Sequence, residues 1–141
     1  MRKYNKLPEN IIDLLPKAQA YLKAHPKVVF AYLFGGIARG KLTPLSDVDI
    51  AIYISKDADI LEQKMEILGE LMEQLETDEI DLVMLNTASL PLRARIIANK
   101  RVIIDKDPFL RHKFESLTLR KYFDFSIKEM DILKRRYSIG R

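Results

Sequence analysis

Three aspartates in this sequence have the types and spacing to do chemistry. Asp47 and Asp49 stand two apart in DVDIAIYI, and Asp81 opens EIDLVML further along the chain. Side chains alternate faces along a strand, so Asp47 and Asp49 are expected on one face and the apolar residues among them on the other. Like charges this close favour a cation between them. Mg²⁺ suits such oxygens, and a third carboxylate from a neighbouring strand predicts two metal ions in phosphoryl or nucleotidyl transfer.

A glycine pair precedes these carboxylates. Gly35 and Gly36 follow the apolar run KVVFAYLF, and we expect them to end a buried strand just before a helical turn in IARGK. Glycines there let the backbone approach a phosphate and present N–H groups to it. LTPLS, by its Pro and Ser, is predicted to be a turn. From the residues alone, a metal and phosphate site and a plain tight turn both remain open.

The elements that must position these residues follow from hydrophobic spacing. The predicted order is helix, strand, strand, helix, strand, helix, strand, helix, with a kink or restart of the first helix at Pro16. This order predicts an α/β (α+β) fold with one small mixed sheet and flanking helices. We expect a single domain over 1–141, with a core at about 26–105 and a C-terminal helix over 108–137. In the helix predicted over 58–76, the stripe expected in the core is Leu61, Met65, Leu68, Met72 and Leu75.

Composition limits the class of protein. The chain has 141 residues, 48% of them hydrophobic and 31% charged, which is typical of one folded domain. It contains no cysteine, no apolar run of membrane-spanning length and no secretory signal at its start, so we expect a cytoplasmic protein without membrane association. The net charge of +4 favours anionic partners such as nucleotides or nucleic acid. For the basic tail KRRYSIGR, contact with an RNA or an acidic partner and a plain charged, frayed C-terminus both remain open.

The stretch FGGIARGKLTPLSDVDIAI resembles the signature of the minimal nucleotidyltransferases (MNT domains), which are DNA polymerase beta-like. In that signature Gly-Ser, ten residues and Asp-x-Asp follow one another, and here Gly35 and Gly36 precede Asp47 and Asp49 at that spacing. EIDLVMLN is similar to the family's third acidic strand and places Asp81 as its third carboxylate. The resemblance runs from about residue 26 to residue 105, and it implies a polymerase beta-like nucleotidyltransferase fold.

The resemblance also implies a reaction. Such domains transfer a nucleoside monophosphate, usually AMP from ATP, to an acceptor hydroxyl. By position, Asp47 and Asp49 would bind two Mg²⁺ ions, and Asp81 would bind one of them while drawing the proton from the acceptor. Gly35 and Gly36 would hold the triphosphate.

Two basic residues complete the implied nucleotide site. Arg39 is a candidate for the outer charge of the triphosphate, and Lys41 is a weaker candidate. For both, a solvated surface charge is the alternative. Gly36 departs from the family, which has Ser here. Loss of a hydrogen bond to a charged phosphate predicts binding weaker by about 1.5–3 kcal/mol.

Many such domains resemble MntA-type antitoxins, whose partner is a helical HEPN-type ribonuclease toxin, and some of these modify a partner tyrosine with AMP. The resemblance therefore implies an antitoxin that acts on a HEPN-type toxin. The alternatives are a binding antitoxin weakened in catalysis at Gly36, and a small-molecule nucleotidyltransferase. Aromatic residues on several faces of the C-terminal helix predict contact with a partner or with a second copy, as a homo-oligomer.

Overall fold

A computed structural model describes residues 10–41, 43 and 46–138 of the chain. It contains four strands and five helices within those residues. In chain order they are α1 (Ile11–Ala24), β1 (Val28–Phe34), α2 (Gly35–Ala38), β2 (Val48–Ile54), α3 (Ile60–Leu75), β3 (Ile80–Met84), α4 (Leu90–Asn99), β4 (Arg101–Asp105) and α5 (Pro108–Ser138). Each element of the predicted order is present, and α2 is the helical turn expected between the first two strands.

The four strands form one sheet in the order β3-β2-β1-β4. β1 pairs antiparallel with both β2 and β4, whereas β2 pairs parallel with β3. The sheet is therefore mixed, as predicted, and the predicted α/β fold class with flanking helices is confirmed. β3 and β4 are its edge strands.

Each face of the sheet carries its own apolar cluster. On one face, residues of β2 such as Val48 and Ile50 pack with α1 and α3. On the other face, Ala51 and Tyr53 pack with residues of α4 and α5. Because side chains alternate along β2, Asp49 shares the face of Ala51 and Tyr53, which is the α4 and α5 face.

α5 is fixed to the sheet by a half-buried polar network. The Tyr32 hydroxyl donates to Glu115 Oε2 at 2.7 Å, and Arg111 Nη1 donates to the same oxygen at 3.0 Å. Arg111 Nε lies 3.1 Å from Asp105 Oδ1, and Lys100 Nζ lies 3.5 Å from Glu115 Oε1. This network joins β1, β4 and the end of α4 to the first half of α5.

Two helices differ from the sequence expectations. α1 does not restart at Pro16 but includes it in one helix, because Leu14, Ala18 and Leu22 on its buried face compensate for the single backbone hydrogen bond that proline removes. In α3, Leu61 and Met65 of the predicted core stripe are 70% and 63% exposed.

The fully buried residues of α3 are Ile67, Leu71 and Leu75, so Leu75 of the predicted stripe is in the core as expected, and Leu68 is partly buried against it. This helix has more apolar residues than one stripe can hold. Spacing alone therefore does not determine which of its faces packs against α1 and the sheet.

Candidate functional site

Asp49 and Asp81 lie side by side in the sheet. Asp49 is the second residue of β2, and the parallel pairing of β2 with β3 places it directly beside Asp81. Neighbouring strands are about 4.8 Å apart, so the two side chains leave the same face at about that separation. Asp49 is half-buried and Asp81 is exposed. Two carboxylates side by side repel each other unless a proton or a cation is shared between them.

Asp47 comes directly before β2, which begins at Val48. It is half-buried and lies two residues from Asp49, at the same end of the strand. The sequence places Asp47 in the strand itself, whereas the structure has it one residue outside. The predicted turn LTPLS is described only through Thr43 and Ser46, where the Ser46 N–H donates to the Thr43 carbonyl at 3.0 Å; Leu42, Pro44 and Leu45 lie outside the described residues.

Gly35 brings the backbone against Asp49. It begins α2 with φ of +65°, a conformation that favours glycine, and a Cβ built on it would overlap Asp49 Oδ2 and lie 3.0 Å from Asp49 Cγ. Phe34, the residue before it, pairs with Asp49 across β1 and β2. Only glycine therefore fits between the end of β1 and this carboxylate.

Gly36 is in ordinary helical backbone with room for a side chain. A Cβ there would lie 3.4 Å from the Lys41 carbonyl oxygen, which is normal van der Waals contact. The glycines are the first two residues of α2, whereas the sequence predicts them just before the helical turn. The reason is that Arg39 N–H donates to the Gly35 carbonyl at 3.3 Å, so the turn begins at the glycines.

Arg39 and Lys41 follow α2 and are both exposed. Arg39 caps the C-terminal end of the turn, and the Lys41 backbone N–H donates to the Gly36 carbonyl at 2.8 Å. The structure thus places both residues on the glycine side of the site, within six residues of Gly35 in the chain.

A fourth carboxylate was missed by sequence reasoning. Glu79 directly precedes β3 and is 6% exposed, and its backbone carbonyl accepts a hydrogen bond from Val48 N at 2.9 Å. Its Oε1 is buried, with no hydrogen-bond partner in the part of the chain that the structure describes. The signal in the sequence was its two-residue spacing from Asp81, which repeats the spacing of Asp47 and Asp49.

Asp81 also opens onto a surface groove. The groove has a volume of about 480 Å³ and lies between α3, the outer edge of β3 and the start of α4. Lys64 and Leu61 line it from α3, and Leu92 lines it from α4. A second molecule can therefore approach Asp81 from the edge of the sheet without crossing the glycines.

Arg93 is a structural residue. Its Nε donates to the Leu85 carbonyl at 2.9 Å, its Nη2 donates to the Asn86 carbonyl at 2.8 Å, and its guanidinium lies 5.3 Å from the centre of the Phe114 ring. From sequence, an arginine on the short helix after the Asp81 strand is expected to be a solvated charge, with a nucleotide ligand as the alternative. The structure shows instead that this arginine binds the backbone after β3.

Among residues 10–41, 43 and 46–138, no three His, Cys, Asp or Glu side chains are close enough to form a metal site as they stand. Mg²⁺ takes one or two protein carboxylates and completes its shell with water and substrate phosphate. Asp49 and Asp81 form such a pair of carboxylates, with Asp47 nearby and the backbone of Gly35 close to them.

None of the described helices has the length and apolarity to cross a membrane.

Carboxylates on two parallel strands beside a glycine turn are typical of proteins that handle nucleotide phosphates through a divalent metal. The family described as polymerase beta, nucleotidyltransferase matches residues 16–109. The chain belongs to this family. No curated protein matches the chain in sequence.

Solved structures share the fold over nearly the whole chain. A toxin–antitoxin with AMP-PNP has 25% identity and a TM-score of 0.66, with 91% of this chain and 96% of that chain covered. A variant of the toxin–antitoxin MntA–HpeT has 26% identity and a TM-score of 0.65, with 94% and 99% covered. These likenesses confirm the resemblance to MNT antitoxins of HEPN/MNT systems.

A third structure contains the tri-AMPylated HEPN toxin of Shewanella oneidensis in complex with its MNT antitoxin. The likeness has 23% identity and a TM-score of 0.60, with 91% of this chain and 93% of that chain covered. At this identity it supports the fold.

Proposed function

We propose that this chain is a Mg²⁺-dependent nucleotidyltransferase that moves AMP from ATP to a hydroxyl, and that the hydroxyl belongs to a tyrosine of a HEPN-type toxin. The observation that carries the proposal is the pairing of Asp49 with Asp81 beside Gly35. Two adjacent carboxylates on one face bind a divalent cation well, and backbone N–H groups of the glycines beside them can donate to a phosphate.

In this proposal Asp47, Asp49 and Asp81 bind two Mg²⁺ ions. The ions supply charge neutralisation for the phosphates and the leaving group. Asp81 accepts the proton of the acceptor hydroxyl, whose oxygen forms a bond to the α-phosphorus of ATP. The bond from that phosphorus to the bridging oxygen breaks, and pyrophosphate leaves. The exposed position of Asp81 beside the groove supports its assignment as the base, because the acceptor can reach it from solvent.

Gly35 and Gly36 hold the triphosphate through their backbone in this proposal, and Arg39 and Lys41 supply positive charge to its outer phosphates. α2 has four residues, so individual N–H groups rather than a long helix dipole provide the interaction. Exposure of both basic side chains supports the assignment, since each is able to move onto a bound nucleotide.

The toxin partner and the nucleotide are proposed from the solved structures, which include toxin–antitoxin complexes, one with AMP-PNP and one with an AMPylated HEPN toxin. A cytoplasmic location follows from the same proposal. A small-molecule nucleotidyltransferase is the less favoured alternative, because the similar solved structures include toxin–antitoxin proteins.

The experiment uses ATP labelled at the α-phosphate, Mg²⁺ and a HEPN-type toxin as the proposed acceptor protein. We expect label on a tyrosine of that protein, and we expect Asp47→Asn and Asp49→Asn to abolish it. Asp57→Asn is the matched control, because Asp57 is an exposed aspartate beyond the opposite end of β2 that pairs with Lys27 at 3.4 Å. Label that persists in both site variants would contradict the mechanism.

A binding antitoxin without catalysis gives a different result. Calorimetry with Mg²⁺ and AMP-PNP then shows no metal-dependent heat, and the toxin stays unlabelled although it is still neutralised. Metal-dependent heat that disappears in Asp49→Asn supports the transferase instead.

A further inference from the structure

The distal half of α5, residues 119–138, carries a large exposed apolar surface. Phe123, Met130 and Tyr137 are 64%, 57% and 73% exposed. The first half of the helix packs on the sheet and α4 through Leu110 and Phe114. The helix leaves the body after Leu119 and Tyr122, which line a groove against the outer face of α4, and no described side chain beyond them is buried.

Five of the nine exposed large apolar residues of this half have the spacing of a coiled-coil seam. Steps of four and three alternate from residue 119 to residue 137, as in a heptad pattern with positions a and d facing a partner helix. Five of the six seam positions are apolar and the sixth is a serine: Leu119, Phe123, Ser126, Met130, Leu133 and Tyr137. At 1.5 Å per residue the seam is about 27 Å long, enough for an interface with one amphipathic helix.

The charges beside the seam are mainly positive. Arg120 and Lys134 lie along one side, and Glu129 and Arg136 lie along the other. Over residues 119–138 the sequence has six Lys or Arg against three Asp or Glu. A second copy would bring like charges together, whereas a helix with acidic flanks would pair with them.

The seam emerges at the same end of the sheet as the carboxylates. α5 starts beside the end of β4, and Glu115 reaches Tyr32 in the middle of β1. Tyr122 then lies with Asn99 at the end of α4, next to Arg101, which pairs with Leu33 at the glycine end of β1. α5 also packs on the sheet face that bears Asp49.

We propose that the distal half of α5 is a docking helix for a protein partner, and that it takes an amphipathic helix whose apolar stripe is flanked by Asp and Glu. Apolar surface of the partner helix is buried against the seam. The basic residues beside the seam favour an acidic partner helix over a second copy of this chain. Bound there, the partner lies on the same face and at the same end of the sheet as Asp49. The surface does not depend on the proposed transfer reaction.

The test uses the full chain and two synthetic peptides, each of three heptads with Leu at positions a and d. One peptide has Glu at positions e and g, and the other has Lys there. Titration followed by fluorescence anisotropy should show the Glu peptide binding at least about tenfold more tightly at low salt, with the difference shrinking at about 1 M salt, where charges are screened beyond about 3 Å. Equal binding of the two peptides, or no binding of either, overturns the proposal.

Variants separate the seam from general electrostatics. Phe123→Glu with Leu133→Glu should abolish binding of the Glu peptide. Lys121→Gln with Lys128→Gln is the matched control, because it changes the net charge by the same amount on the face opposite the seam and should retain most of the binding. A double seam variant that binds like the unchanged chain contradicts the proposal.

Two further measurements complete the test. Sedimentation should show a monomer, and a dimer that Phe123→Glu with Leu133→Glu dissociates would identify a second copy as the occupant and overturn the proposal. Asp49→Asn should bind the Glu peptide like the unchanged chain. Failure of the proposed AMP transfer would therefore be distinguishable from failure of peptide docking on α5.

Discussion

At the scale of single residues, Gly35 connects the backbone to the carboxylates. Its φ of +65° and the overlap of a Cβ with Asp49 Oδ2 both exclude a side chain. Any residue other than glycine must therefore displace Asp49, the carboxylate that lies beside Asp81. A substitution of Gly35 should therefore strain the backbone and disturb the proposed metal site at the same time.

We expect Gly35→Ala to lower the free energy of unfolding by about 1–3 kcal/mol for the left-handed backbone alone, and to abolish Mg²⁺-dependent binding of AMP-PNP. Gly69→Ala is the control, because Gly69 lies in α3 with open space at its Cβ position, and this change should stabilise the chain by about 0.4–1 kcal/mol. Urea unfolding and calorimetry measure the two effects. Unchanged binding of AMP-PNP in Gly35→Ala would show that nucleotide binding does not depend on the present position of the Asp49 side chain.

Gly36→Ser tests the missing hydroxyl of the family signature. The backbone accepts a Cβ there, 3.4 Å from the Lys41 carbonyl, so we expect the fold to be kept. A hydrogen bond to a charged phosphate contributes about 1.5–3 kcal/mol, so AMP-PNP affinity should rise about tenfold or more. Gly36→Ala adds the Cβ without the hydroxyl and should not produce this gain. Equal affinity in the serine variant and the unchanged chain would mean that the backbone already completes the loop.

The sequence predicted that Asp49 and Asp81 come from neighbouring strands, but it did not predict what surrounds them. The face of Asp49 could be predicted because the alternation of side chains along a strand is local. The clearance at Gly35, the buried Glu79 and the backbone contacts of Arg93 depend on which strand and which helix lie opposite, and no local pattern encodes that.

At the scale of elements, Tyr32 links β1 to α5. Burial raises the pKa of the Tyr32 hydroxyl far above its usual value of 10.0, and its hydrogen bond to Glu115 raises it further. The folded chain therefore keeps this hydroxyl protonated at a pH where the unfolded chain releases the proton. The resulting stability is present in full below pH 10 and is lost as pH rises above it.

We expect the free energy of unfolding to fall above about pH 10, with Tyr32 contributing about 1.4 kcal/mol per pH unit. Tyr32→Phe should remove this part of the slope and also lower stability at neutral pH, since Glu115 loses a donor. Tyr137→Phe is the control at an exposed tyrosine. Denaturant unfolding between pH 8 and 11 measures the slopes. Equal slopes for Tyr32→Phe and the unchanged chain would contradict the role of the buried hydroxyl.

The sequence predicted which segments are strands and which are helices, but it did not predict which face of a helix packs against the domain. The strands are short runs of β-branched and aromatic residues bounded by turns, and that pattern predicts them directly. For α3, two apolar faces satisfy helical spacing equally well, and packing against α1 selects the face of Ile67 and Leu71. For α5, the spread of aromatic residues predicted a second contact surface but not its position beyond the body of the domain.

At the scale of the whole molecule, the body of the domain ends before α5 does. The last residues of α5 that lie against the body are those beside α4, Leu119 and Tyr122. We therefore expect removal of residues 123–141 to leave the fold and AMP-PNP binding intact, with a change in Tm of less than about 4 °C, or about 1 kcal/mol for a domain of this size.

The same deletion should abolish binding of the acidic heptad peptide, because it removes the seam from Phe123 to Tyr137. Differential scanning calorimetry and anisotropy measure the two properties on one sample. A deletion to residue 113 is the contrasting variant, since it also removes Phe114 and Glu115, which pack on the sheet, and it should unfold the chain. A shorter chain ending at residue 122 that loses nucleotide binding while remaining folded would mean that the distal helix contributes directly to the site.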